Sequence, residues 1–132
     1  MDFPDRLKDY INDLNLPMKM KLGFLDTGES FVMYPLPGSE VIDEFMDGTT
    51  DQQLNFEIAM KSKSQSKIHD VLWEVQSRLE LMNDLQSEDG SFDFHKLRIT
   101  NKPFINQLDE QSWYVFLLDF QVELTIYNEG EK

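Results

Sequence analysis

Residues 113–127 read WYVFLLDFQVELTIY, and every second position is apolar: Tyr114, Phe116, Leu118, Phe120, Val122, Leu124 and Ile126. A period of two sends successive side chains to opposite faces of a strand, so this stretch predicts one long β-strand with a fully apolar face. The opposite face changes character partway. Trp113, Val115 and Leu117 are apolar, whereas Asp119, Gln121, Glu123 and Thr125 are polar. The first half should therefore be covered on both sides and the second half should meet water on one. At about 3.3 Å per residue the strand would span on the order of 50 Å, so it must bend or project beyond the rest of a small domain.

A strand of this kind needs neighbours, and the preceding sequence supplies them. Residues 53–61 alternate in the same way, with Leu54, Phe56, Ile58 and Met60 on one face. Residues 91–100 alternate with a change of phase: Phe92 and Phe94 share one parity, Leu97 and Ile99 the other. A bulge near His95-Lys96 restores all four to one side. Residues 19–25 and 30–36 are short apolar runs separated by Asp26-Thr27-Gly28, which reads as a hairpin. The segment Pro35-Leu36-Pro37-Gly38 must then leave the sheet, because proline donates no ladder hydrogen bond. Residues 40–47 read as extended, ended by Asp47-Gly48.

Two stretches follow a helical period instead. Phe3, Leu7, Tyr10, Ile11 and Leu14 form one stripe behind Asp2 or Asp5 as caps, and Pro17 follows. Ile68, Val71, Leu72, Val75, Leu79 and Met82 form the second, behind Ser64 or Ser66, and stop before Ser87-Glu88-Asp89-Gly90. The order helix, hairpin, strand, helix, strand, long strand predicts an α+β chain with a largely antiparallel sheet and both helices on one face. At 132 residues one domain spanning the whole chain is expected.

Composition excludes several function classes. Zero Cys rules out disulfides, thiolate metal sites and a cysteine nucleophile. The two histidines, His69 and His95, lack the spacing of a metal motif, and the six glycines lie singly, so neither a metal nor a phosphate-cradling loop is expected and no cofactor is implied. Asp43-Glu44 and Asp109-Glu110 are adjacent carboxylates, but on extended chain such neighbours point to opposite faces, so an acid/base pair is not expected. No apolar run approaches the roughly 20 residues of a bilayer crossing, and the acidic N-terminus does not resemble a signal peptide, so no membrane partner and a cytoplasmic origin are expected.

The net charge is -13, which disfavours binding to nucleic acid or an anionic membrane. The charge is also segregated. Between Lys21 and Lys61 eight acids occur and no base, while bases gather near the N-terminus, at Lys61, Lys63 and Lys67, and around Lys96, Arg98 and Lys102. The plain reading is a solvated acidic surface. The sharper one is a subunit with one acidic and one basic side, able to associate head to tail into a ring. An acidic mimic of DNA that blocks a nucleic-acid enzyme is the rival from another class.

Residues 34–63 (YPLPGSEVIDEFMDGTTDQQLNFEIAMKSK) and 89–126 (DGSFDFHKLRITNKPFINQLDEQSWYVFLLDFQVELTI) carry a family resemblance. They resemble the minor capsid proteins of tailed bacteriophages of Gram-positive bacteria, which in turn resemble tail-terminator, or tail-to-head joining, proteins. The strings Tyr-Pro-Leu-Pro-Gly, Met-Asp-Gly-Thr, Asn-Phe-Glu-Ile and Asn-Lys-Pro-Phe are its most specific parts, and none has an active-site meaning. The resemblance implies a tail-terminator-like fold and a hexameric ring at the head-tail junction of the virion, assembled in the host cytoplasm. Its implied partners are other copies of the chain, the tail tube protein and a head-connector protein, with DNA passing through the lumen. A minor capsid or connector role in the head is the alternative.

Within that reading, residues 40–48 (Glu40, Asp43, Glu44, Phe45, Met46, Asp47) and 103–110 (Phe104, Asp109, Glu110) are the expected contacts, as acid- or aromatic-bearing loops. Lys61, Lys63, Lys67 and Lys102 are the basic counterparts. A hexamer would carry a formal charge of about -78, which salt or divalent cations must screen.

Overall fold

The computed structural model describes residues 1–108 and 112–127. These form two helices, α1 (Phe3–Asn12) and α2 (Gln65–Glu80), and six strands: β1 (Lys21–Leu22), β2 (Ser30–Pro35), β3 (Glu40–Glu44), β4 (Thr50–Ser62), β5 (Phe92–Leu108) and β6 (Tyr114–Ile126). They build one sheet in the order β1-β2-β4-β6-β5, with β3 also paired to β4. The α+β, largely antiparallel expectation is met, and the alternating C-terminal stretch is the strand that lies between β4 and β5. β6 pairs with β4 from Thr50↔Ile126 to Ser62↔Tyr114 without a register shift.

The two helices cover one face. Phe3, Leu7 and Ile11 of α1 and Ile68, Val71, Leu72, Val75 and Leu79 of α2 are buried against Phe31, Met33, Phe56, Ile58, Met60, Leu118, Phe120 and Val122 of the strands. Phe56 stacks on Phe120 with ring centroids 5.6 Å apart, and Phe3 meets both Phe56 and Phe92. Ser64 caps α2 by accepting from the Lys67 amide at 3.2 Å.

Four expectations are corrected. First, residues 21–22 do not form a hairpin with β2: β1 pairs with it in parallel, Lys21↔Val32 and Leu22↔Met33. A two-residue strand carries too little periodicity to reveal its direction, and the seven intervening residues are enough to loop back. Secondly, β5 does not stop at Thr100 but runs to Leu108, so residues 103–108 are strand and not loop. The register jumps from Asn101↔Asp119 to Phe104↔Leu117, so Lys102 and Pro103 sit in a bulge where a missing N–H breaks no ladder bond. The bulge read at His95 is present, between Phe94 and Lys96.

Thirdly, Asp2 precedes α1 without capping it. Its carboxylate instead accepts from Ser87 Oγ at 2.7 Å and from the Glu88 amide at 2.9 Å, tying α1 to the loop before β5. Burial raises its pKa, but those donors together with Asp89 N–H outweigh it, and the net shift is downward. Fourthly, Asp119 does not meet water: it is 9% exposed.

β3 and β4 form a hairpin along the same edge that β2 occupies further on. Its turn is ordered by Phe45 N–H donating to Thr49 O at 2.8 Å, Gly48 N–H to Phe45 O at 3.0 Å and Thr49 N–H to Asp47 Oδ1 at 2.9 Å. Between β2 and β3, Gly38 has φ +96, a conformation that L side chains rarely adopt, so this joint favours glycine.

Candidate assembly surfaces

Most of the described residues singled out from sequence fall at the two ends of β4. At its start, Glu40, Asp43 and Glu44 on β3 and Phe45, Met46 and Asp47 in the turn are all exposed, with Met46 at 107% and Phe45 at 45%. Val41 and Ile42 are also about half exposed, so this acidic hairpin carries an apolar tip. At the far end, Lys61 and Lys63 hold their ammonium groups 5.3 and 5.0 Å from the centroid of the Trp113 ring. Thr50 to Met60 of β4 lie between the turn and Lys61, about 36 Å at the usual rise.

Lys67 is near this end but is held by Glu29, whose Oε1 lies 2.9 Å from its Nζ. Ser62 Oγ donates to the same carboxylate at 2.6 Å, and the two hydrogen bonds, that from Ser62 first, lower the Glu29 pKa. Lys102 and Phe104 lie exposed on β5, which β6 separates from β4; Phe104 shares the rung of Leu117 and Ala59, two residues from that of Lys61. Asp109 and Glu110 lie outside the described residues.

Sequence reasoning missed two features because their members are scattered along the chain. One is an apolar groove of about 390 Å³ beside the outer edge of β2, walled by Leu22, Phe24, Met33, Pro35, Leu54 and Phe56, with Met1 and Pro4 from the start of α1. Phe24 is 78% exposed and leans on Tyr34, ring centroids 5.3 Å apart.

The other is a polar row on the face that carries no helix. Tyr34, Glu57, Asp119 and Asn101 stand opposite one another on β2, β4, β6 and β5. The Tyr34 hydroxyl donates to Glu57 Oε1, and Asn101 Nδ2 donates to Asp119 Oδ2 at 2.8 Å. Asp119 Oδ1 is buried and meets no donor from another residue unless Glu57 carries a proton. Burial pushes the Glu57 carboxyl up to about 7, the Asp119 carboxylate beside it adds to the rise, and the Tyr34 hydroxyl works against it. Burial, then Glu57, raises the Tyr34 phenol in turn. One proton on Glu57 thus satisfies a row that would otherwise hold two facing carboxylates.

His95, turned across the sheet by its bulge, meets Thr125 Oγ1, which donates to Asp51 Oδ1 at 2.6 Å. Nucleophilic catalysis needs the imidazole between hydroxyl and carboxylate. Here the hydroxyl is the middle group and is held by the acid, so the trio is a cross-strand tie. His69 is exposed and stacks on Trp73. Among the described residues no group of three or more His, Asp or Glu side chains is placed to hold a metal, and no helix is long and apolar enough to cross a membrane.

Comparison with known proteins identifies the family. No curated protein matches the sequence. Twelve solved chains are similar in structure; one of them, 16% identical, matches 96% of this chain over 93% of its own length with a TM-score of 0.50, a likeness of fold. The family model described as bacteriophage tail terminator protein matches residues 10–126, from the middle of α1 to the last residue of β6. By that match the chain belongs to the bacteriophage tail terminator proteins, structural components of the phage tail.

Proposed function

We propose that the chain forms a ring, of six copies by the family resemblance, that closes the end of the tail tube and offers a docking surface to the head connector at the head-tail junction. The observation that carries this reading is the placement of the acidic hairpin and the Lys61-Lys63-Trp113 group at opposite ends of β4. Two different patches that attract each other give a heterologous, head-to-tail contact, and such contacts close into rings when the rotation between copies allows. Opposite charges set the register and speed the encounter. The subunit assembles in the host cytoplasm and remains in the virion, with DNA crossing the lumen unbound.

The formal charge of -13 per copy opposes closure at low salt. Ionic strength or magnesium screens it, with a Debye length of about 10 Å at 0.1 M salt. A monomer is therefore expected at low salt, and a ring at higher salt, with magnesium or on tail-tube ends. Light scattering across a salt and magnesium series, with tail tubes as a second variable, checks this, and a monomer under every condition refutes it. Negative-stain images of particles made without this protein separate the station: overlong or headless tails agree with termination and joining, and unfilled heads would move the protein into the capsid.

A further inference from the structure

We infer that the far half of the helix-free face, around Trp113, Leu117 and Phe104, seats the β3–β4 hairpin tip of a second copy. Phe45 and Met46 lie against those side chains and the hairpin acids against the lysines around them. The inference rests on the ring reading and assigns the surfaces of its contact. Three observations lead to it.

The first is a missing cover. One rung crosses the sheet as Lys21, Val32, Ala59, Leu117 and Phe104, on the face that carries the polar row and no helix. On the next rung Val115 stands opposite Lys61, whose ammonium lies over Trp113. Nearer the hairpin the same face is polar, with Asn55 opposite Gln121 and Gln53 opposite Glu123. The apolar half of such a face calls for cover, yet both helices pack on the other side. Neighbouring side chains shield Val32, Ala59 and Val115, but Trp113 and Leu117 stay partly exposed and Phe104 is 39% exposed. Adjoining apolar side chains left accessible on one face mark a contact surface.

The second is charge. Lys21 stands at one end of the apolar rung, and Lys102 lies in the bulge before Phe104 at the other. Lys61 donates to the Asp26 and Thr27 carbonyl oxygens and, like Lys63, lies over Trp113; among the described residues no carboxylate neutralises either charge. Glu29, at the same end, is taken up by Lys67. Against these lysines the hairpin brings Glu40, Asp43, Glu44 and Asp47, and no base between 40 and 48. Because Lys61 is already held in place, it loses little side-chain freedom when an acid arrives. The groove beside β2 lacks this complement: its Leu22, Met33, Leu54 and Phe56 belong to the opposite face, and Lys21 and Lys61 project away from them.

The third is reach. The ladder from Glu40↔Gln53 to Glu44↔Thr50 holds the tip beyond Thr50, and Thr50 to Met60, about 36 Å of strand, lie between it and Lys61. The tip cannot fold onto its own seat, so the occupant is another molecule. Its turn is ordered by hydrogen bonds, so little ordering entropy is lost on docking. A tip at one end and a seat at the other let each copy give one contact and receive one, as a ring requires.

Charge reversal tests the seat, with light scattering as the measure of assembly. Lys63→Glu with Lys102→Glu should raise the concentration needed for assembly by roughly tenfold or more, and adding Asp43→Lys with Glu44→Lys should restore it to within about threefold of the wild type. Lys8→Glu with Lys19→Glu, in and after α1, lowers the net charge equally and should shift that concentration by less than about threefold. The chain contains no cysteine, so introduced thiols report contacts cleanly. Met46→Cys with Phe104→Cys should give an oxidised ladder of multimers once assembled, whereas Met46→Cys with Phe24→Cys, at the β2 groove, should not. Equal effects of the two pairs of lysine reversals, an assembled Met46→Cys/Phe104→Cys chain without cross-links, or a ladder from the Phe24→Cys chain overturns the seat and leaves the ring standing. Failure of the wild type to assemble under any condition overturns both.

Discussion

On the face that the helices cover, Phe56 of β4 stacks on Phe120 of β6. One residue along the same two strands, Glu57 faces Asp119 with no helix above them. The same backbone ladder therefore supports two kinds of interaction. The covered face gains from area removed from water, which tolerates neighbours of many shapes. The open face depends on hydrogen bonds and on one proton, which tolerate few substitutions in kind but contribute less in total. The difference separates stability, held by the covered face, from pH response, held by the open one.

Three substitutions test that separation. Phe120→Ala on the covered face should cost the most, about 3–5 kcal/mol, because the ring is 1% exposed and its loss leaves a cavity. Urea denaturation measures it, and a cost below that of any open-face variant would break the comparison. Glu57→Gln comes next and depends on pH. An unfolded Glu ionises near 4.5 while the folded one keeps its proton to about 7, so the folded state binds more protons in that window and stability falls as pH rises across it. Gln copies the protonated form. The variant should match the wild type near pH 5 and exceed it by about 1–2 kcal/mol near pH 8, discounted for partial exposure; a constant difference across that range would show that no proton is held. Lys96→Ala should matter least. Its Nζ is 2.9 Å from Glu123 Oε2 but the lysine is 75% exposed, so at most about 0.5 kcal/mol, vanishing in salt, is expected.

Legibility in the sequence followed the same division. Alternation in residues 113–127 and the phase change at His95 reveal β6 and the β5 bulge, because one buried face imposes a strict period. The acidic, exposed character of residues 40–48 was legible from charge and from Phe45-Met46 standing among acids, but their pairing with β4 as a hairpin was not. Direction and register were not legible: β1 is too short, and Asn101-Lys102-Pro103 looks like an end when it is a bulge. Asp119 reads as solvated because alternation tells which face a residue occupies and not whether neighbouring rows shelter it. The polar row and the groove need residues from separate strands, and only register brings those together.

The order β1-β2-β4-β6-β5 puts β6 between β4 and β5, both of which precede it in the chain. During synthesis, at roughly 5–20 residues per second, β4 and β5 emerge with their inner edges unpaired and wait for a segment still to be made. Neither can meet its main partner until residues 114–126 leave the ribosome. Such late, sequence-distant pairing slows folding and lengthens the time an open edge is displayed. Until then every row that crosses β6 stays incomplete, that of Glu57 and Asp119 included.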